Sequence, residues 1–212
     1  MKKLFLLLTA IVLTSCGGDS DDPTPIIPNP STNGAAYFRG NNDGVPFNFN
    51  FNGGLVSNYY YGFAHSTDGS NYIDYGCSLV PAGSPTGPEY GVYFDNMHVN
   101  DFANEPAEFY SMFATPLPTN FLTAAQDALH AKGISVLYQN ASGEYYYSAY
   151  GSQSGSTFSI SSVVQGTEAG TTHKIVTVKG LVSCKVYAFD DPLDFHTITG
   201  AEFKLIFRQY QD

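Results

Sequence analysis

The chain contains no tryptophan, and basic residues are scarce: nine Lys and Arg stand against 19 Asp and Glu, for a formal net charge of −10. Proteins that hold nucleic acid use Lys and Arg to neutralise phosphates, and anionic membrane surfaces attract basic segments in the same way. An acidic chain is repelled by both, so we exclude a nucleic-acid partner. The lack of tryptophan also removes the largest aromatic platform on which a sugar could stack.

Long apolar runs are also missing, with one exception at the N-terminus. Residues 4–13 are apolar but for one threonine and follow Lys2 and Lys3. As a helix this run would be about 15 Å long, against a hydrocarbon core of about 30 Å. It is therefore too short for a permanent span, and the two preceding lysines are typical of a signal peptide.

Cys16 stands at the end of this leader. Residues 13–16 read Leu-Thr-Ser-Cys and resemble the lipobox of bacterial lipoproteins, which the type II signal peptidase cleaves before the cysteine. The resemblance implies a diacylglyceryl group on the Cys16 sulfur and usually a further acyl chain on the new amino group. Two or more acyl chains would give a stable membrane anchor. The alternative is an ordinary secretory signal followed by a chance cysteine.

Three acidic residues follow the cysteine: Asp19, Asp21 and Asp22. They resemble the surface-export signal of lipoproteins from the Bacteroidota. The resemblance implies an outer-membrane protein that is exposed at the cell surface, with a periplasm-facing anchor as the alternative. The alternative for the residues themselves is that they are simply a solvated start to a linker.

Composition divides the chain into three parts. Residues 1–15 are the predicted signal peptide, and residues 16–34 contain the lipidated cysteine and a flexible tether rich in Pro and Asp. Proline among small polar residues favours extended polyproline geometry and cannot build a core. Residues 35–212 are long enough for one domain with a substantial core.

The predicted domain has the composition of a β protein. The chain contains 16 Tyr, 16 Phe, 21 Gly and 12 Pro, and aromatic residues favour strands while Gly and Pro mark turns. Apolar residues alternate with polar ones over 45–52, and over 201–208 the odd positions form an apolar face. Residues 67–70 and 140–143 have turn composition and predict two hairpins. We predict a mainly β, antiparallel sandwich or barrel-like single domain with one short helix.

Further elements follow from the same patterns. Strands are predicted near 90–99, 108–114, 157–164 and 173–189, the last with a bend at Gly180. The helix is predicted over 121–129, because its apolar residues recur at helical spacing after a Pro-Thr-Asn cap at 118–120 and before Gly133. We expect it to cover an end or a face of the β structure.

Short motifs in the C-terminal half resemble a group of flavobacterial-type lipoproteins of unknown function. The matching segments are 133–138 (Gly-Ile-Ser-Val-Leu-Tyr), 145–148 (Tyr-Tyr-Tyr-Ser), 158–160 (Phe-Ser-Ile), 183–187 (Ser-Cys-Lys-Val-Tyr) and 199–203 (Thr-Gly-Ala-Glu-Phe). The resemblance implies a β-rich domain outside the cytoplasm, and it supplies neither an activity nor catalytic residues.

Two cysteines remain in the predicted domain, Cys77 and Cys184. Each alternates in phase with apolar neighbours, so both are expected to face the core. In an exported protein they could form a disulfide. The alternative is a pair of separate buried thiols that pack as small hydrophobic side chains.

Two runs of three tyrosines are the most suggestive functional feature. Alternate residues of a strand face opposite sides, so Tyr59 and Tyr61 in one run and Tyr145 and Tyr147 in the other are candidates for a shared outer surface. Exposed tyrosines in a row would offer a stacking platform for a sugar or a peptide. The alternative is that they fill the core and shield the sheet.

The sequence contains no recognisable catalytic, metal or cofactor motif. The five histidines are not paired at metal-ligand spacing, and no Gly-x-Ser-x-Gly elbow is present. We therefore expect a non-catalytic, lipid-anchored envelope protein that binds a glycan or protein ligand or serves a structural role. A hydrolase with an unrecognised acid pair and an accessory subunit of an envelope complex are the alternatives.

Overall fold

The computed structural model describes residues 35–51, 56–81, 87–114 and 116–210. Cys16, the acidic residues Asp19, Asp21 and Asp22, the predicted signal peptide and nearly all of the tether lie outside the described residues. The lipidation and export predictions are therefore not addressed by the fold.

Most of the described chain is β structure, as the composition predicted. The strands are β1 (Ala36–Asn42), β2 (Val45–Phe51), β3 (Val56–Thr67), β4 (Ser70–Pro81), β5 (Glu89–Val99), β6 (Gly133–Gln139), β7 (Tyr145–Tyr147), β8 (Thr157–Thr167), β9 (Lys174–Ala188) and β10 (Phe195–Arg208). Two helices, α1 (Glu105–Met112) and α2 (Ala124–Asp127), lie between β5 and β6. Short 3-10 turns span Phe102–Asn104 and Ser148–Tyr150.

All strand pairs are antiparallel, and the order across the sheet is β2-β1-β10-β9-β7-β6-β5-β4-β3, with β8 also paired to β9. Strand β9 is therefore the junction of two halves. It pairs with β8 over most of its length and with β7 through only two residue pairs, Tyr146 with Ala188 and Tyr147 with Tyr187. One half is β2-β1-β10-β9-β8, and the other is β7-β6-β5-β4-β3.

The two halves enclose one core, as in a β-sandwich. Phe94 of β5 lies 5.0 Å from Phe207 of β10 between ring centroids, and Tyr90 of β5 stacks on Phe47 of β2 at 4.0 Å. The predicted alternation of β10 is confirmed, because its apolar odd-numbered residues are buried: Ala201, Phe203, Leu205 and Phe207. In β2 the pattern begins one step late, since Val45 is 67% exposed while Phe47 packs against the core.

Both predicted hairpins are present. Asp68 and Gly69 connect β3 to β4 with positive φ angles of 51° and 78°, the geometry that Asp-Gly turns provide. At Gly180, the predicted bend in β9, the register of the neighbouring β8 shifts between Ile160 and Ser162. A Cβ atom at Gly180 would collide with the backbone of β8 and with the Phe203 ring, so the close approach of three strands requires glycine here.

The strand predicted over 108–114 is wrong, because this segment belongs largely to α1. Pro106 stands in the first helical turn together with two acidic residues, which suits a helix N-terminus. Phe109 and Phe113 then reach the core, where their rings contact Tyr75, Phe94 and Phe207. It is thus α1, and not the predicted helix, that closes the space between the two halves.

The helix predicted over 121–129 is much shorter than expected. Thr123, rather than 118–120, caps α2 through a capping box with Gln126. The residues before it pair with β6, since the Leu122 amide donates to the Ile134 carbonyl at 2.9 Å. Leu129, expected on the buried face, is 80% exposed. No helix among the described residues is long and apolar enough to cross a membrane.

Helix α1 also places a carboxylate in the core. Glu105 is fully buried, and it accepts hydrogen bonds from the Tyr75 hydroxyl at 2.5 Å and from the backbone amide of Tyr210 at 3.0 Å. These bonds satisfy an otherwise costly buried group and fasten the end of the chain to α1.

Candidate functional site

The predicted tyrosines emerge on the outer face of the β7-β6-β5-β4-β3 half. Tyr59 and Tyr61 of β3 are 47% and 38% exposed, and Tyr145 of β7 is 48% exposed. Tyr146, between Tyr145 and Tyr147, is buried toward the core, as strand alternation requires. In this run Tyr146 therefore points inward while Tyr145 points outward.

A fifth aromatic side chain connects the two runs. Tyr93 of β5 faces outward and stacks on Tyr61 with ring centroids 5.9 Å apart and an interplanar angle of 29°. The strand between them, β4, has Gly76 at this position, and a Cβ atom there would overlap the Tyr93 ring. Glycine therefore lets the ring lie across β4 and reach β3.

The row continues from Tyr93 to the other run. Tyr93 lies 6.4 Å from Tyr147, which stacks on Tyr145 at 6.4 Å and meets Tyr150 edge-on at 5.4 Å. We call these five residues, Tyr61, Tyr93, Tyr145, Tyr147 and Tyr150, the tyrosine face. Tyr59 is exposed on the same strand as Tyr61 but has no ring contact with the face among the described residues.

Hydrogen bonds and burial fix the orientation of the face. The Tyr61 hydroxyl donates to a carboxylate oxygen of Glu89 at 3.0 Å, and the buried Ser78 hydroxyl donates to the same oxygen. Burial also raises the pKa of Tyr147 to about 12, and it raises the pKa of Tyr61 and Tyr93 as well. All three hydroxyls are neutral at physiological pH, and the hydrogen bond to Glu89 fixes the position of the Tyr61 ring.

A cavity of about 280 Å³ opens beside the tyrosine face. Four of the five face residues line it, all except Tyr145. The other lining residues combine apolar side chains with three carboxyls and a hydroxyl: Phe63, Leu122, Ala149, Asp74, Asp95, Asp127 and Ser135. The walls come from β3 to β7 on one side and from the segments around α2 and 148–150 on the other.

A β-bulge brings the three carboxyls together. Asp74 of β4 lies opposite both Asp95 and Asn96, because β5 carries one extra residue at this point. Asn96 adopts a positive φ of 55°, its amide donates to Asp74 at 2.7 Å, and its side chain donates to Asp127 at 3.0 Å. One asparagine therefore holds two of the carboxylates, while His65 lies 3.9 Å from Asp74 on the far side.

Of the three carboxyls, Asp95 is the one with a buried oxygen atom that lacks a hydrogen-bond partner among the described residues. Its side chain is 92% buried, and its Oδ2 atom has no hydrogen-bond partner among the described residues. Burial raises the pKa of Asp95 to about 8, a hydrogen bond from Ser135 opposes that rise, and the charges of Asp74 and Asp127 add to it. Burial likewise raises the pKa of Asp74. At neutral pH, Asp95 is largely protonated.

The two cysteines lie elsewhere, in the core. Cys77 of β4 and Cys184 of β9 are both buried, and the structure has them as thiols without a disulfide between them. Burial raises the pKa of the Cys184 thiol, so it is unreactive in the folded state. Within the described ranges, no group of three or more His, Cys, Asp and Glu side chains is placed to hold a metal ion.

Sequence reasoning missed Tyr93, Tyr150 and the three carboxyls of the cavity. The signals available were weak: an outward-facing tyrosine on β5, and Gly76 on the strand between it and β3. The carboxyls come from β4, β5 and α2, and only the paired strands and the Asn96 bulge bring them close together.

Comparisons with known proteins give this site no counterpart. No protein-family model matches the chain, and searches of curated proteins and of solved structures find no significant match. The geometry of the site and the composition of the N-terminus are therefore the features that bear on function.

Proposed function

We propose that the chain is a lipid-anchored protein of the bacterial outer membrane that displays a non-catalytic binding domain at the cell surface. The lipobox ending at Cys16, the acidic residues after it and the Pro-rich tether support the anchor and the address. The resemblance of the C-terminal half to flavobacterial-type lipoproteins is consistent with the same compartment. The tyrosine face is the observation that carries the binding role.

The ligand that we propose for the face is a glycan. Tyr61 and Tyr93 present stacked rings, as do Tyr145 and Tyr147 with an interplanar angle of 24°. Flat aromatic surfaces pack against the apolar faces of sugar rings, and the carboxyls of the adjacent cavity would accept hydrogen bonds from sugar hydroxyls. Contiguous exposed aromatic surface on a soluble domain commonly marks a binding site.

The test is a binding screen of the mature protein against polysaccharides and peptides from the cell envelope. Tyr145→Ala should weaken glycan binding about 2- to 10-fold, the range that one aromatic contact of about 0.5–1.5 kcal/mol provides. Tyr145→Phe should bind like the parent, because the stacking ring remains. Phe195→Ala, at an exposed aromatic of β10 in the other half, is the matched control. Equal losses for Tyr145→Ala and Phe195→Ala would contradict the proposal.

Hydrolysis of a glycan is a second candidate function, favoured by the adjacent carboxyls of Asp74 and Asp95. Glycosidases pair a protonated acid of raised pKa with an ionised carboxylate, and Asp95 has the first property. Release of new reducing ends from a bound polysaccharide, abolished in Asp95→Asn, would establish this activity. Binding without any release over prolonged incubation would reject it.

A further inference from the structure

We propose that the cavity beside the tyrosine face binds a sugar residue with a free amino group, its ammonium directed at Asp95 and its ring against the aromatic walls. This inference rests on the proposed function, because the cavity shares Tyr61, Tyr93, Tyr147 and Tyr150 with the tyrosine face. It adds the chemical class of the sugar that the site selects.

The charges around the cavity favour a cationic ligand. Three carboxyls line it, and none of the described lining residues is Lys or Arg. Like charges held this close oppose one another's ionisation, and an opposite charge within about 4–6 Å relieves that cost. An ammonium group in the cavity would supply the missing positive charge.

The hydrogen bonds single out Asp95 as the ligand's partner. Asp74 and Asp127 each have one oxygen engaged by Asn96. Asp95 lines the cavity and is more than nine-tenths buried, and its Oδ2 atom, which is itself almost completely covered, has no hydrogen-bond partner among the described residues. Burial disfavours the ionised form of Asp95, and an ammonium beside it would favour that form and donate strong N–H hydrogen bonds to the carboxylate.

The walls favour a ring-shaped body for the ligand. Five aromatic side chains line the cavity: Tyr61, Phe63, Tyr93, Tyr147 and Tyr150. They would contact the apolar face of a sugar ring and also attract its cationic group through their π faces. The volume lies just below the range of about 300–1,000 Å³ for drug-sized ligands, which suits one sugar unit. A lysine side chain is narrow and would leave much of this aromatic wall uncovered.

The test compares D-glucosamine with D-glucose, N-acetyl-D-glucosamine and n-butylamine by calorimetric titration of the mature, full-length protein. We expect glucosamine to bind at least about tenfold more tightly than the other three, since only it combines a sugar ring with an ammonium. Equal binding of glucose and glucosamine would overturn the charge selection. Binding of n-butylamine as tight as that of glucosamine would overturn the sugar assignment in favour of a lysine-like ligand, and no binding of glucosamine would overturn the site.

Two variants separate charge from stacking. Asp95→Asn should abolish the preference for glucosamine over glucose, while Asp190→Asn, at an exposed aspartate outside the cavity lining, should leave it unchanged. Tyr150→Ala should weaken the binding of glucose and of glucosamine by the same factor, so that the ratio of their affinities is unchanged. This variant tests the aromatic walls even if Asp95→Asn does not fold. A Tyr150→Ala protein that binds both sugars like the parent would overturn the role of the aromatic wall.

The same titrations distinguish this inference from the proposed function. If glucosamine binds at Asp95 while Tyr145→Ala leaves polysaccharide binding unchanged, the proposed cavity site is supported and the proposed role of the tyrosine face is rejected. If Tyr145→Ala weakens polysaccharide binding while glucosamine does not bind, the proposed role of the tyrosine face is supported and the proposed selection for an amino sugar is rejected.

Discussion

Asp95 gives the clearest prediction at the scale of single residues. Its pKa is about 8 in the folded protein, raised chiefly by burial, against about 3.9 for an ordinary aspartate in an unfolded chain. Between these values the folded state binds more protons than the unfolded state, so the free energy of unfolding falls as pH rises from about 4 to about 8. Below and above that window, Asp95 adds no further pH dependence.

Asp95→Asn should therefore flatten the fall in melting temperature between pH 4 and pH 8.5. We expect the difference between parent and variant to change by at least about 5 °C across this range, in favour of the variant at high pH. Asp74, whose pKa is also raised, remains in the variant and retains part of the slope. Circular dichroism melts at several pH values provide the measurement. Parallel curves for parent and Asp95→Asn would show that Asp95 ionises normally, and Asp190→Asn is the matched control.

Outward-facing tyrosines could be predicted from the sequence, but the carboxyls of the cavity beside them could not. Tyr61 and Tyr145 were accessible to reasoning because alternation in a strand is local. Asp95 was not, because its raised pKa comes from burial first and from the charges of Asp74 and Asp127 second, and both depend on strand pairing and the Asn96 bulge. The thiols of Cys77 and Cys184 likewise could be assigned to the core, while their bonding state required the three-dimensional arrangement.

At the scale of elements, β4 contributes to the tyrosine face because it has a glycine, without a side chain, at the position that the face crosses. The ring of Tyr93 crosses this strand because Gly76 has no side chain. The row of aromatic contacts between β3 and β7 therefore depends on one glycine in a strand that lies between them.

Gly76→Ala should displace the Tyr93 ring and separate Tyr61 from the rest of the face. We expect a loss of about 1–3 kcal/mol in the free energy of unfolding, as for other overpacked sites, together with weaker glycan binding. Gly166→Ala is the control, because a Cβ there would meet Ile175 at an ordinary distance of 3.6 Å. Chemical denaturation and the binding screen measure the two effects. Binding by Gly76→Ala equal to that of Gly166→Ala would show that the row need not be continuous.

The two errors in the predicted elements have physical causes. Residues 108–114 contain two phenylalanines and a tyrosine, which favour strands, but Pro106 and the acidic residues of the first turn start a helix whose aromatic face packs into the core. Residues 121–129 have helical spacing, yet Phe121 and Leu122 are taken up by pairing with β6. In both segments, tertiary contacts outweighed local propensity.

At the scale of the whole molecule, the proposed lipid anchor would decide where the tyrosine face acts. We expect the parent protein to fractionate with membranes and Cys16→Ser to be released, because the variant has no thiol to receive the lipid. Cys184→Ala, which removes a buried thiol, should remain with the membranes. Fractionation of Cys16→Ser with the membranes, or an unmodified mature N-terminus by mass spectrometry, would contradict the lipid anchor.

The pairing of β1 with β10 sets the order in which the domain can be completed. Strand β1 lies between its hairpin partner β2 and β10. Glu105 likewise accepts a hydrogen bond from the amide of Tyr210, which follows β10. A chain that emerges from its N-terminus therefore has one side of β1 unpaired until β10 is available. The half of the sheet that contains β1 therefore closes later than β3 to β7, whose strands pair with their neighbours in sequence.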